Sequence, residues 1–164
     1  MNGMQIRAAR VEDLGAINDI YNYYVERSTC TFQTEPETMD ERIAWFAAHD
    51  TAHPVIVAEV GGEVVGWGAL SPFHPRGAYR FTVEPSVYVR HDWVARGMGR
   101  ALMEELIARA RAVGHHSMVG LICADNAPSL ALSEKLGFVK VGYLREVGYK
   151  FDRWLDVVYV QRML

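Results

Sequence analysis

Apolar residues return at helical spacing at Leu14, Ile17, Ile20, Tyr21, Tyr24 and Val25, which predicts an amphipathic helix over Val11 to Glu26. The run Gln5 to Ala8 ahead of it predicts a strand. Thr38 followed three residues later by Glu41 is a capping-box pattern. Ile43 and Phe46 continue an apolar face there, so a second helix is expected from Thr38 to His49. The period then shortens. Val55 to Val60 and Glu63 to Leu70 are β-rich runs on either side of Gly61-Gly62, a dipeptide that supplies positive φ in a tight hairpin turn. Tyr79 to Val89 predicts a long strand in which Pro85, unable to donate to a ladder, marks an edge or a bulge.

Further along, Ala101, Leu102, Leu106, Ile107 and Ala110 form the stripe of a third helix that runs to about Val113 and stops at Gly114. Ser117 to Ile122 predicts another strand. Asn126 before Ala127-Pro128-Ser129 has the chemistry of a cap with proline in the first turn, and the helix it opens ends at Gly137. Val139 to Leu144 and Leu155 to Met163 close the chain as strands. One strand, two helices, three strands, a helix, a strand, a helix and two strands do not form a regular βαβ alternation. They predict an α/β domain with a mixed sheet flanked by helices.

Nothing repeats along the 164 residues, and no stretch has the composition of an interdomain linker, so residues 1–164 are read as one domain. Half the residues are apolar and 23% are charged, the balance of an ordinary globular protein. Cys30 and Cys123 have neither metal spacing nor a disulfide framework and read as small packing residues kept reduced in the cytoplasm. The start, Met1 to Arg7, lacks an apolar signal core, and no stretch approaches the ~20 apolar residues of a membrane span. A formal charge of −3 argues against nucleic acid as a partner. The six histidines are scattered, only His115 and His116 are adjacent, and no HExxH appears, so no metal site is expected.

Chemistry concentrates where Val87-Tyr88-Val89 leads, after a short connection, to Ala95-Arg96-Gly97-Met98-Gly99-Arg100 at a helix start. Glycines let backbone N–H groups approach a ligand, and a helix N-terminus carries partial positive charge, so a diphosphate fits this loop. Arg96 and Arg100 add screened attraction. A plain strand-to-helix turn is the bland alternative. Two phosphate motifs are excluded by spacing. A dinucleotide fingerprint needs a small residue where Leu102 stands and a tighter turn than the seven residues between Val89 and Gly97. A P-loop needs Gly-Lys-Ser/Thr, which is absent.

Val94-Ala95-Arg96-Gly97-Met98-Gly99 resembles the Gln/Arg-x-x-Gly-x-Gly/Ala signature of the GNAT superfamily of acyl-CoA-dependent N-acyltransferases. Val94 departs from its Gln/Arg, which removes a side-chain contact and bears on cofactor affinity. Asn126, Ser129 and Leu136-Gly137-Phe138 resemble the stretch that touches the pantetheine arm, although an Asn before Pro also serves simply as a cap. The likeness narrows to the phosphinothricin and methionine-sulfoximine N-acetyltransferase group through Ile6 to Ala9, Ile20 to Asn22, Thr31 to Pro36, Ala78 to Glu84, Ser86 to Val89 and Gly148 to Asp156. It implies a single GNAT-like domain with a central mixed, mostly antiparallel sheet and about four helices. It also implies a homodimer that moves an acetyl group from acetyl-CoA to the α-amine of an amino-acid-like acceptor.

The reaction assigns candidate roles. Amino acids carry a protonated amine at pH 7, so the site must accept a proton, and Glu84 is the candidate base. Alternation places Glu84, Ser86 and Tyr88 on one face if Pro85 leaves the pleat intact, and burial among Tyr79, Phe81 and Tyr88 would raise its pKa. Pairing of Glu84 with an arginine such as Arg80 is the structural alternative. Backbone N–H groups near Val87 and Val89 are candidates for the developing oxyanion. The resemblance implies a cofactor site of Val87, Tyr88, Val89, the loop Ala95 to Arg100, Asn126 and Ser133. Ser133 stands seven residues after Asn126, where the family carries Tyr or, in this group, His. Serine is a poor acid, so the thiolate leaves unaided, through water, or with help from Tyr149 or Tyr143. Arg76 and Arg80 offer planar donors to an acceptor carboxylate, beside His74 and Tyr79, while Phe32, Thr34 and Glu35 would shape the acceptor side. Lys150, Trp154 and Asp156 would line the cleft or support the dimer contact. Acetylation of another amine or a protein N-terminus, and acetyl-CoA sensing without turnover, are the rival functions.

Overall fold

The computed structural model describes residues 3–164, so Met1 and Asn2 of the stretch read for a leader lie outside the described residues. Strand β1 (Met4–Ala8) leads through a 3-10 turn at Val11–Asp13 into α1 (Leu14–Arg27) and α2 (Met39–Ala47). Three strands follow: β2 (Val55–Val60), β3 (Glu63–Pro72) and β4 (Thr82–Val89). Then come α3 (Met98–Ala112), β5 (Ser117–Cys123), α4 (Ala127–Lys135), β6 (Val139–Lys150) and β7 (Arg153–Met163). All seven strands join one sheet in the order β1-β2-β3-β4-β5-β7-β6. Among the described residues only β4 and β5 run parallel; every other neighbouring pair is antiparallel. This is the mixed sheet with four helices that the element order predicts.

Local chemistry sets the boundaries. The Thr38 hydroxyl accepts from the Glu41 N–H at 3.3 Å while the Glu41 carboxylate accepts from the Thr38 N–H at 2.7 Å, a reciprocal cap that starts α2. Gly61 and Gly62 turn the β2–β3 hairpin with φ of +59° and +87°. Two expectations need correction. β4 begins at Thr82 rather than Tyr79, because Gly77–Tyr79 forms a 3-10 turn. β6 runs to Lys150 rather than Leu144, because Phe151 and Asp152 both adopt positive φ, +52° and +56°, and make a tight hairpin without glycine.

Alternation along the strands serves both faces of the sheet. Val55, Val57, Trp67 and Ala69 pack against Leu14, Ile17 and Ile20 of α1. Ile56, Ala58, Leu70, Val83 and Met118 look the other way, toward Leu102, Leu106 and Ala110 of α3. Helix α3 comes close to β3 because Gly66 and Gly68 have no side chains. A Cβ on Gly68 would stand 3.0 Å from Leu106 Cδ1 and 3.3 Å from the Ser86 carbonyl oxygen. This near contact sets how deep α3 lies on the sheet. Gly15, in α1, has nothing within 4 Å of the same position.

The two glycines should therefore respond to alanine with opposite signs. Gly68→Ala overpacks the α3 contact and is expected to cost about 1–2 kcal/mol, a fall of roughly 4 °C in Tm. Gly15→Ala only restricts the unfolded chain and improves helix propensity, for a gain of about 0.5–1 kcal/mol. Thermal unfolding of the two variants beside the parent chain checks both.

Candidate active site

β4 and β5 pair at only two positions, Thr82 with Ser117 and Val83 with Met118. The Thr82 carbonyl accepts from Phe73 N and Arg90 N donates to the Val65 carbonyl, so the even-numbered positions of β4 turn their backbone toward β3. Val83, Pro85, Val87 and Val89 consequently turn theirs toward β5. After Val83 the strands part. Pro85 stands at that point and has no N–H to leave unpaired. Its pairing with Leu70 of β3 continues in register, so the expected bulge is absent and Pro85 marks an edge opened inside the sheet. Tyr24 of α1 donates its hydroxyl to the Val89 carbonyl at 2.6 Å. The N–H groups of Val87 and Val89 face the gap.

A cleft of about 1060 Å³ fills the space between the parted strands. Of the predicted cofactor set, Val87, Tyr88, Val89, Ala95, Gly97, Met98, Gly99, Arg100, Asn126 and Ser133 line it, and Arg96 does not. Arg96 instead lies over the Trp93 ring at 4.6 Å, and Arg100 is ion-paired with Glu104 at 2.8 Å. Both arginines are exposed, so solvent screens their charge. Backbone geometry carries the anion site. Ala95 and Gly97 adopt left-handed φ of +60° and +82°, and Gly97 is the N-cap of α3 with no side chain to satisfy the first helical N–H groups. Successive N–H groups in such a turn form a nest at a positive helix end.

On the β5 side, the Asn126 side chain accepts from Ser129 N at 3.3 Å, so it caps α4 while lining the cleft. Ser133 spends its proton on the Leu130 carbonyl at 2.8 Å. The alternative acids named from the sequence sit elsewhere. Tyr143 donates to the Asp156 carboxylate, and Tyr149 packs on Trp154 with ring centres 5.0 Å apart; both are exposed on β6, outside the cleft. The phenols that line it are Tyr21, Tyr24 and Tyr88. Burial pushes the Tyr24 hydroxyl up to about 12 and raises that of Tyr88, with the nearby Glu84 charge adding to the latter.

Glu84 lines the same cleft, opposite Ser71 of β3, on the face shared with Ser86 and Tyr88. Burial alone pushes its carboxyl above the ordinary value. The expected aromatic surround is only partly formed. Tyr79 packs on Phe73 and His74 with ring centres 5.7 Å and 4.9 Å away, and Phe81 is exposed under the Arg80 guanidinium at 4.4 Å. Arg80 donates to the Gly77 carbonyl at 3.2 Å rather than pairing with Glu84.

Of the predicted acceptor residues, Phe32 lines the cleft. Its ring covers Gly148, where a Cβ would stand 2.3 Å from a ring carbon. Thr34, Glu35, His74, Arg76, Tyr79 and Arg80 stay on the exposed surface outside it. For the last four the reason is local: the loop after β3 closes in a 3-10 turn before β4 begins. Sequence reasoning found Phe32 but missed the preceding residues Ser28 to Thr31 as a cleft wall, along with Cys123 as a lining residue. Burial pushes the Cys30 and Cys123 thiols up. A lysine inside an otherwise aromatic run, Tyr149-Lys150-Phe151, was the available signal for the group that anchors this wall.

Comparison with known proteins bears on the same features. Residues 17–138 match the acetyltransferase (GNAT) family. The L-methionine sulfoximine/L-methionine sulfone acetyltransferase of Pseudomonas paraeruginosa is 42% identical over 158 residues, covering 95% of this chain and 92% of that protein. The phosphinothricin N-acetyltransferase of Streptomyces viridochromogenes is 41% identical, covering 97% of this chain and 87% of that one. Among solved structures, yncA of Salmonella typhimurium with its cofactor acetyl-CoA superposes with a TM-score of 0.96 at 38% identity, over 99% of this chain and 95% of that one. This chain, with an opened sheet edge facing an uncapped glycine nest, thus superposes on a structure that holds acetyl-CoA, and it belongs to the GNAT family of acetyltransferases.

Proposed function

We propose that this acetyltransferase transfers the acetyl group of acetyl-CoA to the α-amine of a small amino acid related to phosphinothricin or methionine sulfoximine, with Glu84 as the proton acceptor. The observation that carries this reading is one cleft holding both a half-buried carboxyl with a raised pKa and the uncapped N-terminus of α3. The nest at Ala95 and Gly97 takes the diphosphate of acetyl-CoA, whose thioester end then lies along the open edge of β4. A Cβ at Gly99 would meet only ordinary contacts at 3.7 and 3.8 Å, so the fold itself does not require glycine there and the approach of a ligand does. The amine loses its proton to Glu84, directly or through water, and attacks the thioester carbonyl. The N–H groups of Val87 and Val89 stabilise the oxyanion, and as the carbon–sulfur bond breaks the second amine proton passes through water to the departing sulfur, releasing CoA as its thiol. Exposed Arg76 and Arg80, beside the start of β4, are available to the acceptor carboxylate where it emerges from the cleft.

A homodimer is part of the proposal. β6 is an edge strand whose Val139, Val141, Leu144, Val147 and Tyr149 are all exposed, as is Trp154 opposite them. An apolar edge of this length favours a second copy over solvent. The free thiols of Cys30 and Cys123 suit the reducing cytoplasm, and no helix among the described residues is long and apolar enough to cross a membrane.

Glu84→Gln tests the chemistry. Loss of the base should lower kcat for methionine sulfoximine by about 10²–10⁴-fold while calorimetry finds acetyl-CoA still bound. Unchanged turnover would remove Glu84 from the mechanism, and an inactive wild-type protein across amino-acid analogues would remove the acceptor class. The pH profile gives a second reading. Because Glu84 acts ionised, kcat/KM should rise with pH through a value above the ordinary 4.5, and Glu84→Gln should lose that limb. The sign for stability is opposite: a carboxyl whose pKa is raised on folding favours the fold while protonated, so its contribution falls as pH climbs through the raised value.

Oligomeric state is tested at the edge. Sedimentation should give a dimer for the parent chain and a monomer for Val141→Lys, which puts a charge into the apolar strip.

A further inference from the structure

The segment Ser28 to Phe32 crosses the cleft as a strap, and its anchors belong to elements far away in the chain. Ahead of it, Tyr24 fastens the end of α1 to the β4 wall through the Val89 carbonyl at 2.6 Å. Thr29 then donates its hydroxyl to Asp125 at 2.9 Å, in the turn that leads from β5 to Asn126, so the strap reaches the opposite wall. Arg153 pairs with the other oxygen of Asp125 and fixes that carboxylate. From below, Lys150 at the end of β6 sends its ammonium to the Ser28 carbonyl at 2.7 Å and the Thr31 carbonyl at 2.8 Å. Phe32 finishes the strap with its ring seated on Gly148, two residues before Lys150.

Lys150 is the unusual member. It is 5% exposed, and its two hydrogen-bonded partners are backbone carbonyls rather than a carboxylate. A buried ammonium without a counter-ion is costly, and burial lowers its pKa accordingly. A neutral apolar side chain would fill the same space without that cost, but it would hold neither carbonyl. The charge therefore serves the strap's conformation, and the strap supplies Cys30 and Phe32 to the cleft that also contains Glu84. Acyl transfer needs the attacking atom held about 3–3.5 Å from the carbonyl, so a wall beside the acceptor bears directly on rate and affinity.

We propose that Lys150 and Thr29 are positioning residues for the acceptor: they hold the Ser28–Phe32 strap, through two backbone carbonyls and the Asp125 carboxylate, as the wall against which the acceptor amino acid is oriented. The proposal rests on the reading of the cleft as an amino-acid acetyltransferase site. None of the strap's anchors belongs to the Ala95 to Arg100 loop that forms the nest, so its loosening is read first in the acceptor.

The test uses the full-length protein with methionine sulfoximine as the varied acceptor and acetyl-CoA binding measured separately by calorimetry. Thr29→Val, nearly isosteric, should raise the acceptor KM about fivefold, the worth of one neutral hydrogen bond, and Thr29→Ser should restore it. Lys150→Met should raise it about thirtyfold, as expected for a charge-assisted tether. In both, the acetyl-CoA Kd should stay within twofold of the parent value. Acceptor kinetics unchanged in folded Thr29→Val, or an acetyl-CoA Kd that moves in step with the acceptor KM, overturns the proposal. If Lys150→Met does not fold, the Thr29→Val and Thr29→Ser pair decides alone. A wild-type protein that acetylates no amino-acid analogue overturns the functional reading and this inference together. An active wild type with an unaltered Thr29→Val overturns only the strap.

Discussion

Backbone N–H and C=O groups inside a protein must find partners, and β4 runs from Glu84 to Val89 with no strand beside one of its edges. Much of the remaining architecture answers that constraint. Pro85 removes one donor from the edge, and Tyr24 takes the Val89 carbonyl from across the layer. What is left includes the N–H groups of Val87 and Val89, which point into a cleft wide enough for an extended ligand. The neighbouring pair is intact up to Val83, so the sheet is opened locally without being divided. Helix α3 begins at the mouth of this opening, and its depth on the sheet is set by Gly66 and Gly68.

The other face explains how a half-open strand keeps its shape. Tyr88 stacks on Trp67 with ring centres 5.0 Å apart, and Trp67 in turn borders the Arg42 guanidinium. That guanidinium is 2% exposed and lies 4.9 Å from the Tyr21 ring and 4.5 Å from that of Trp45. Glu37 neutralises it and Asn18 accepts from it at 3.2 Å. A paired cation sandwiched by aromatic rings is a stiff filling, since each ring fixes the next. Tyr88 therefore does not depend on β5 for its position. Glu84, four residues earlier on the same face, is held by its pairing with Ser71 in the same β3–β4 ladder.

How much of this was legible follows the range of the interactions. The α2 cap, the Gly61-Gly62 turn and the stops at Gly114 and Gly137 are written in adjacent residues, and each appears where local chemistry puts it. The glycine nest was equally local. Harder to read were features made by non-glycine residues with positive φ: Phe151 and Asp152 let β6 extend well past Leu144, and Glu146 at φ +52° lies in its irregular stretch. Pro85 was legible as an edge but not as an opening, because that distinction depends on how far β5 continues beside β4. The bond between Thr29 and Asp125 spans 96 residues, and no periodicity announces it. Arg76 and Arg80 were legible as residue types, but their place on an exposed 3-10 turn beside β4, outside the cleft lining, was not.

The seat of Phe32 on Gly148 joins two segments far apart in the chain. Any side chain at Gly148 collides with the ring, and any smaller residue at Phe32 leaves a void over a bare backbone. The two positions are thus a lock of matched sizes. In an evolving lineage a change at one would be tolerated chiefly after a compensating change at the other, so the width of this pocket wall drifts in paired steps and resists adjustment by single substitutions.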